Sequence, residues 1–107
     1  MQCNLEFQDL AYSDLTRANL TKARLSHANL ASAYLAEASL AGAGLAGADL
    51  TDANLHGADL DGANLHGAKL AGAKLHEASF LGALIDRGTL ELAGLQASNL
   101  PGMIPAG

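Results

Sequence analysis

Cysteine occurs once in the 107 residues, at Cys3, so neither an internal disulfide nor a cysteine-rich metal site can form. That excludes the small disulfide-stapled secreted class. Tryptophan is absent and aromatic residues make up only 4% of the chain, so a core must be assembled from aliphatic side chains. Proline appears twice, at Pro101 and Pro105, both near the far end. Basic residues are also scarce: 6 Lys and Arg stand against 11 Asp and Glu, for a net charge of −5. This balance speaks against a nucleic-acid binder that works by neutralising phosphate. No apolar run approaches the ~18 residues of a membrane span. The start, Met1 to Glu6, has neither a basic stretch nor the apolar run of a secretory leader, so cytoplasmic residence is expected.

What is present is apolar and periodic. Half the residues are hydrophobic, too many for a disordered chain. Every fifth position from Leu5 to Leu100 is a large apolar residue, 18 of the 20 being Leu and the others Phe80 and Ile85. The residue two before each is Ala at 15 of the 20 positions, the exceptions being Cys3, Gln8, Ser13, Gly88 and Ser98. Between the two lies a mostly polar residue, such as Asn19, Asn29, Asp49, Asn54, Asp59 or Asn64. The unit is Ala-(Asp/Asn)-Leu-x-x.

A period of five suits neither a lone helix nor a flat strand. At about 100° per residue a helix steps successive leucines by about 140° and scatters them around its axis. On a strand, successive leucines alternate between the two faces. Heptads, and with them a coiled coil, are absent. Seven glycines two residues after the central position, from Gly42 to Gly82, further oppose a helix. The arrangement that treats every unit alike is a solenoid in which each pentapeptide makes one short extended side and one turn. The central residue and the one two before it then point inward, and glycine recurs where the turn needs positive φ or close packing.

On these twenty consecutive units, covering residues 3–100, the sequence resembles the pentapeptide-repeat family. The resemblance implies an all-β fold, a right-handed quadrilateral parallel β-helix of about five coils of four pentapeptides. A β-helix domain over 3–100 followed by a short tail over 101–107 is the corresponding organisation. With coils ~4.8 Å apart the shaft is roughly 24 Å tall. Solenoid ends need covers. Pro101 and Pro105 are expected to stop the ladder, and Met103 with Ile104 to fold over the last coil. At the other end the inward sites hold Cys3, Gln8 and Ser13, which suits water or a partner in contact there.

A twenty-residue coil stacks side chains in columns: Asp9, Asn29, Asp49, Lys69 and Thr89 in one, Arg17 beside Glu37 in another. Leu81, Leu84 and Leu92 interrupt the polar exterior and, with Met103 and Ile104, form a candidate interface, by lateral or end packing, for a second copy or an unidentified protein partner. His56 and His76 are expected to stack about 5 Å apart with Glu77 nearby, while His66 falls on the opposite side, so no physiological metal site is assigned. Gly42 to Gly47 matches G-x-G-x-x-G, but without the strand-then-helix context that gives the motif meaning, and no cofactor is assigned. A convex prism offers no cleft for acid–base work, so no catalytic residue is named and the chain is read as a non-enzyme. The leading function is a structural or protein-interaction module that presents flat polar faces. The resemblance also supplies an alternative, because some members of the family imitate DNA and bind DNA gyrase. Asp9, Asp49, Asp52, Asp59 and Asp61 would be the acidic face in that case, with Lys69 and Lys74 counting against it.

Overall fold

A computed structural model describes residues 3–92 and 104–105. Its organising feature is a parallel ladder of period twenty. Asn4 pairs with Arg24, Arg24 with Gly44 and Gly44 with Asn64. The ladder goes on through β1 (Asn64–Leu65), β2 (Leu84–Ile85) and β3 (Ile104–Pro105), which pair in the registers Asn64↔Leu84 and Leu84↔Ile104. Three more ladders start at Asp9, Asp14 and Asn19. Four ladders per twenty residues make a four-sided parallel β-helix.

The core is the leucine and alanine lining read from the sequence. Every central residue from Leu25 to Leu70 is at most 1% exposed, as are Ala23 to Ala63 at the position two before. Phe80 and Ile85 fill the same inward sites. Leu5, Leu10 and Leu15 of the first coil pack on this core but remain half-exposed, and Cys3 and Gln8 beside them are exposed.

Each corner is a turn closed by a backbone hydrogen bond from the residue three after the central one, as in Ala53 N–H to Leu50 C=O at 3.0 Å. The third residue of that turn has positive φ, which makes it a type II turn. All seven glycines expected there adopt it, from +67° at Gly42 to +73° at Gly72. Nine other residues do so as well, including Phe7, Tyr12, Arg17, Lys22, Glu37 and Asp52, at φ between 58° and 64°. The sixteen corners share one backbone conformation whatever the side chain.

The register of the sequence continues through Leu90, yet the chain leaves the ladder after Ile85 and forms α1 (Arg87–Leu92). One departure from the repeat coincides with this: Gly88 stands where an inward Ala belongs. The expectation that Thr89 stands outward above Lys69 is therefore corrected: Thr89 is buried, at 8% exposure. Its hydroxyl donates to Ala68 C=O at 3.0 Å, the acceptor that a ladder N–H would have used. Asp86 acts likewise, its carboxylate accepting Gly67 N–H at 2.7 Å where the coils below use a backbone carbonyl. Two side chains thus take over ladder partners at the point where the backbone departs.

The expected role of Ile104 is also corrected. Its backbone does not fold over the last coil but adds a rung to the ladder, exactly one coil beyond Leu84. Pro105 is tolerated because β3 is the edge strand of its sheet, where no further partner needs its missing N–H. Residues 93–103, with the repeat units near Leu95 and Leu100, Met103 and the stop expected at Pro101, lie outside the described residues, as does the side chain of Leu92.

Candidate interaction surface

The residue before each central position does more than face water. Asn4, Asp9, Asp14, Asn19, Asn29, Asp49, Asn54, Asp59 and Asn64 each accept, through Oδ1, the N–H two residues on, at 3.0–3.2 Å. Such Asx turns guide the chain into its corner, which explains Asp and Asn in the repeat. The sequence carried this signal in the recurrent Asp and Asn, read there only as polarity. Their outward faces are consequently rigid, and side chains twenty apart sit one rung from each other.

Several columns behave as expected. Arg17 Nε lies 3.2 Å from Glu37 Oε1 on the surface. Asn29 Nδ2 donates to Asp9 Oδ1 at 3.3 Å. His56 and His76 stack with ring centroids 5.3 Å apart and planes 17° from parallel. Glu77 Oε1 lies 3.5 Å from His76 Nε2. Among the described residues, no group of three or more His, Cys, Asp or Glu converges as a metal site. Gly42 to Gly47 forms two successive corners of the ladder with Ala43 and Leu45 buried between them, an arrangement unlike a phosphate-binding loop. His66 Nδ1 lies 2.9 Å from Asp86 Oδ1. A partly enclosed cavity of about 430 Å³ lies between the fourth coil and α1, bordered by Thr51, Lys69, Leu70, Asp86 and Thr89.

Three carboxyls are held below the ordinary carboxylate range. Asp14 is lowered by its side-chain and backbone bonds to Thr16. Asp49 is lowered chiefly by Thr51, whose hydroxyl and N–H both donate to it, with a smaller contribution from Lys69. For Asp86 the Gly67 N–H is the main cause and His66 a lesser one.

The five acidic residues nominated as one face do not share one. Asp9 and Asp49 belong to a ladder with Asn29 and Lys69, and Asp52 lies at the corner beyond it. Asp59 stands in the ladder of Asn19, Ser39 and Ser79, half a coil away on the opposite side. Asp61 follows it and turns its carboxylate onto the Ser79 hydroxyl and Leu81 N–H. Alternation every ten residues reads as one acidic series along the chain but divides between two sides once wound.

The candidate apolar patch is partly described. Leu81 is 56% exposed and Leu84 37%, three residues apart across one corner. The Ile104 backbone lies beside Leu84 in the same ladder. The sequence reading missed a second exposed group, Phe7, Tyr12 and Tyr34, at 75%, 73% and 53%. Phe7 stacks on His27 with centroids 5.2 Å apart. With three of the four aromatic residues outside the core, the low aromatic content was itself the available signal.

This geometry, a leucine-lined parallel ladder with a corner every five residues, defines a β-helix solenoid. The family model for pentapeptide repeats matches with eight copies, over residues 1–33, 28–67 and 63–100. The chain belongs to the pentapeptide repeat family. It is similar to the pentapeptide repeat protein Rfr23 from the cyanobacterium Cyanothece 51142, at 45% identity and a TM-score of 0.70, over 70% of this chain and 51% of that one. It is likewise similar to alr5209, a pentapeptide repeat protein from Nostoc PCC 7120, at 36% identity and a TM-score of 0.79, over 89% and 84% of the two chains. A third similar structure is AT2G44920 from the Arabidopsis thaliana thylakoid lumen, at 36% identity and a TM-score of 0.53, over 77% and 60%. The chain thus spans about half the length of the Cyanothece protein (51%) and three-fifths of the Arabidopsis protein (60%). No curated protein matches the sequence. Among the described residues no helix is long and apolar enough to cross a membrane.

Proposed function

We propose that the protein is a non-catalytic interaction module, a right-handed shaft of about five coils that holds a protein partner against one of its sides. The observation that carries this reading is the fixed twenty-residue register, which places outward side chains on a hydrogen-bonded frame. The corner bearing Leu81 and Leu84 is the favoured contact, since two leucines projecting from a rigid ladder present an apolar anchor within a polar surround. Residence in the cytoplasm belongs to the same reading and is suggested by the single thiol, Cys3, which leaves no disulfide within the chain.

The test is affinity capture from the source cell with the parent protein and with the double variant Leu81→Asp, Leu84→Asp. A specific partner held by the parent and released by the variant supports the reading. Equal capture by both moves the contact elsewhere, and a measurable turnover of any small molecule refutes the module. The acidic gyrase-binding alternative is weaker on this geometry, because its five residues divide between two sides and Asp49 lies one rung from Lys69. Inhibition of gyrase supercoiling by micromolar protein would reinstate it.

A further inference from the structure

Where α1 leaves the shaft, one backbone donor of the fourth coil loses the acceptor its position normally has. In the coils below, every central N–H from Leu5 to Leu60 donates to a backbone C=O one coil further on, as Leu50 N–H does to Lys69 C=O at 2.8 Å. The matching acceptor for Leu70 N–H would be Thr89 C=O. Thr89 instead lies in α1 and meets the coil through its hydroxyl, which takes Ala68 C=O. Leu70 is 1% exposed, and its N–H has no backbone partner among the described residues. A buried donor without an acceptor is costly, so a ligand oxygen bound there is worth more than one bound at the surface.

The cavity of about 430 Å³ opens at this donor, and its volume is that of a small-molecule site. Gly88 borders it. A glycine inside a helix is unfavourable, yet a Cβ added at Gly88 would meet nothing within 4 Å, so its missing side chain is part of the open volume. Two charges of opposite sign, Lys69 and Asp86, stand on the same border. The hydroxyl protons of Thr51 and Thr89 are already given to Asp49 Oδ1 and Ala68 C=O. Alanine and backbone make up the rest of the lining.

We propose that this cavity binds a small apolar zwitterion, a free amino acid or a dipeptide. Its carboxylate takes the Leu70 N–H and the Lys69 ammonium, its own ammonium turns to the Asp86 carboxylate, and its side chain fills the room beside Gly88 against Ala68 and Ala71. The pairing of charges decides the class. A plain carboxylate would bring a further negative charge to a border that already has Asp86, with Asp49 one rung from Lys69. A plain amine would leave the Leu70 N–H unmet. The site is separate from the Leu81 and Leu84 corner and stands or falls independently of a protein partner there.

Titration of the ¹⁵N-labelled chain with L-leucine and with L-alanyl-L-alanine, followed by amide NMR, tests the proposal. Saturable shifts centred on the Leu70, Gly67 and Thr89 amides, with dissociation constants of about 1 mM or below, are expected for at least one probe, and the tighter of the two separates amino acid from dipeptide. Where L-leucine binds, leucinamide and 4-methylpentanoate, each lacking one of its charges, should bind at least roughly 10-fold more weakly. Gly88→Leu should fill the cavity and abolish the shifts, whereas Gly88→Ala should retain binding. Lys69→Gln, an exposed change that leaves the fold intact, should weaken binding about 10-fold, with unchanged circular dichroism. No saturable shift with either probe up to about 10 mM overturns the proposal. So does binding indifferent to Lys69→Gln, to a folded Gly88→Leu, or to loss of either charge from the ligand.

Discussion

Cutting Leu50 back to alanine is the sharpest test of the shaft. Leu50 is 0% exposed, with Leu30 and Leu70 one coil away on either side. In an ordinary core, neighbours relax into part of the space and Leu→Ala costs about 2 to 5 kcal/mol. Here the flanking coils are held by Leu30 N–H to Asp49 C=O at 2.7 Å and Leu50 N–H to Lys69 C=O at 2.8 Å, so the walls cannot close on the cavity. The cost should fall in the upper part of that range, about 3 to 5 kcal/mol. Leu10 heads the same column but is half-exposed, and water can fill the space it leaves. Leu10→Ala should cost about 1 to 2 kcal/mol, since only part of its surface is withdrawn from water. Urea unfolding followed by circular dichroism reads both. With a slope near 2 kcal/mol/M, Leu50→Ala lowers the midpoint by about 2 M and Leu10→Ala by under about 1 M, the slope itself unchanged. Equal costs, or less than about 1 kcal/mol for Leu50→Ala, would refute the rigid-walled column.

Other perturbations separate the remaining forces. Gly47→Ala adds a Cβ within 2.5 Å of the His27 ring at φ +69°, so it should destabilise by about 1 to 2 kcal/mol in thermal melts, and His27→Ala should recover part of that loss. Ala53→Leu overfills a site with 0% exposure and should cost about 1 to 3 kcal/mol or more in the same measurement. Arg17→Ala breaks an exposed pair and should change stability by less than about 1 kcal/mol, with the remainder vanishing in high salt. Asp86 is held below the ordinary carboxylate value by Gly67, so its contribution is complete above the unfolded pKa near 4 and disappears as pH falls through that value and below the folded one. Unfolding midpoints from pH 7 downward should therefore decline less steeply in Asp86→Asn than in the parent.

The lining and the twenty-residue register were legible because a buried leucine every fifth position has no helical or flat-strand solution. Phe80 and Ile85 fitted the same inference, being apolar and of similar bulk. The corners were only partly legible. Glycine marks seven of them, whereas Phe7, Tyr12 and Glu37 give no hint of positive φ and take it because the ladder on either side imposes it. The departure at α1 was masked by Leu90 continuing the period, and only Gly88, in a place where the unit has an inward Ala, announced it. For the surface, the pairs Arg17–Glu37 and His56–His76 followed from counting by twenty. The acidic group failed because net charge was summed along the chain without assigning each residue to a side.

A fixed number of residues per turn also constrains how such a molecule can change length. Inserting five residues in mid-chain would preserve the lining yet swing everything downstream by a quarter revolution, carrying Leu84 to a different flank from the one it shares with Asn4. Inserting twenty would merely lengthen the shaft and restore every flank. Lineages of this architecture can therefore grow in large steps without disturbing a surface already in use, while small steps redistribute it wholesale.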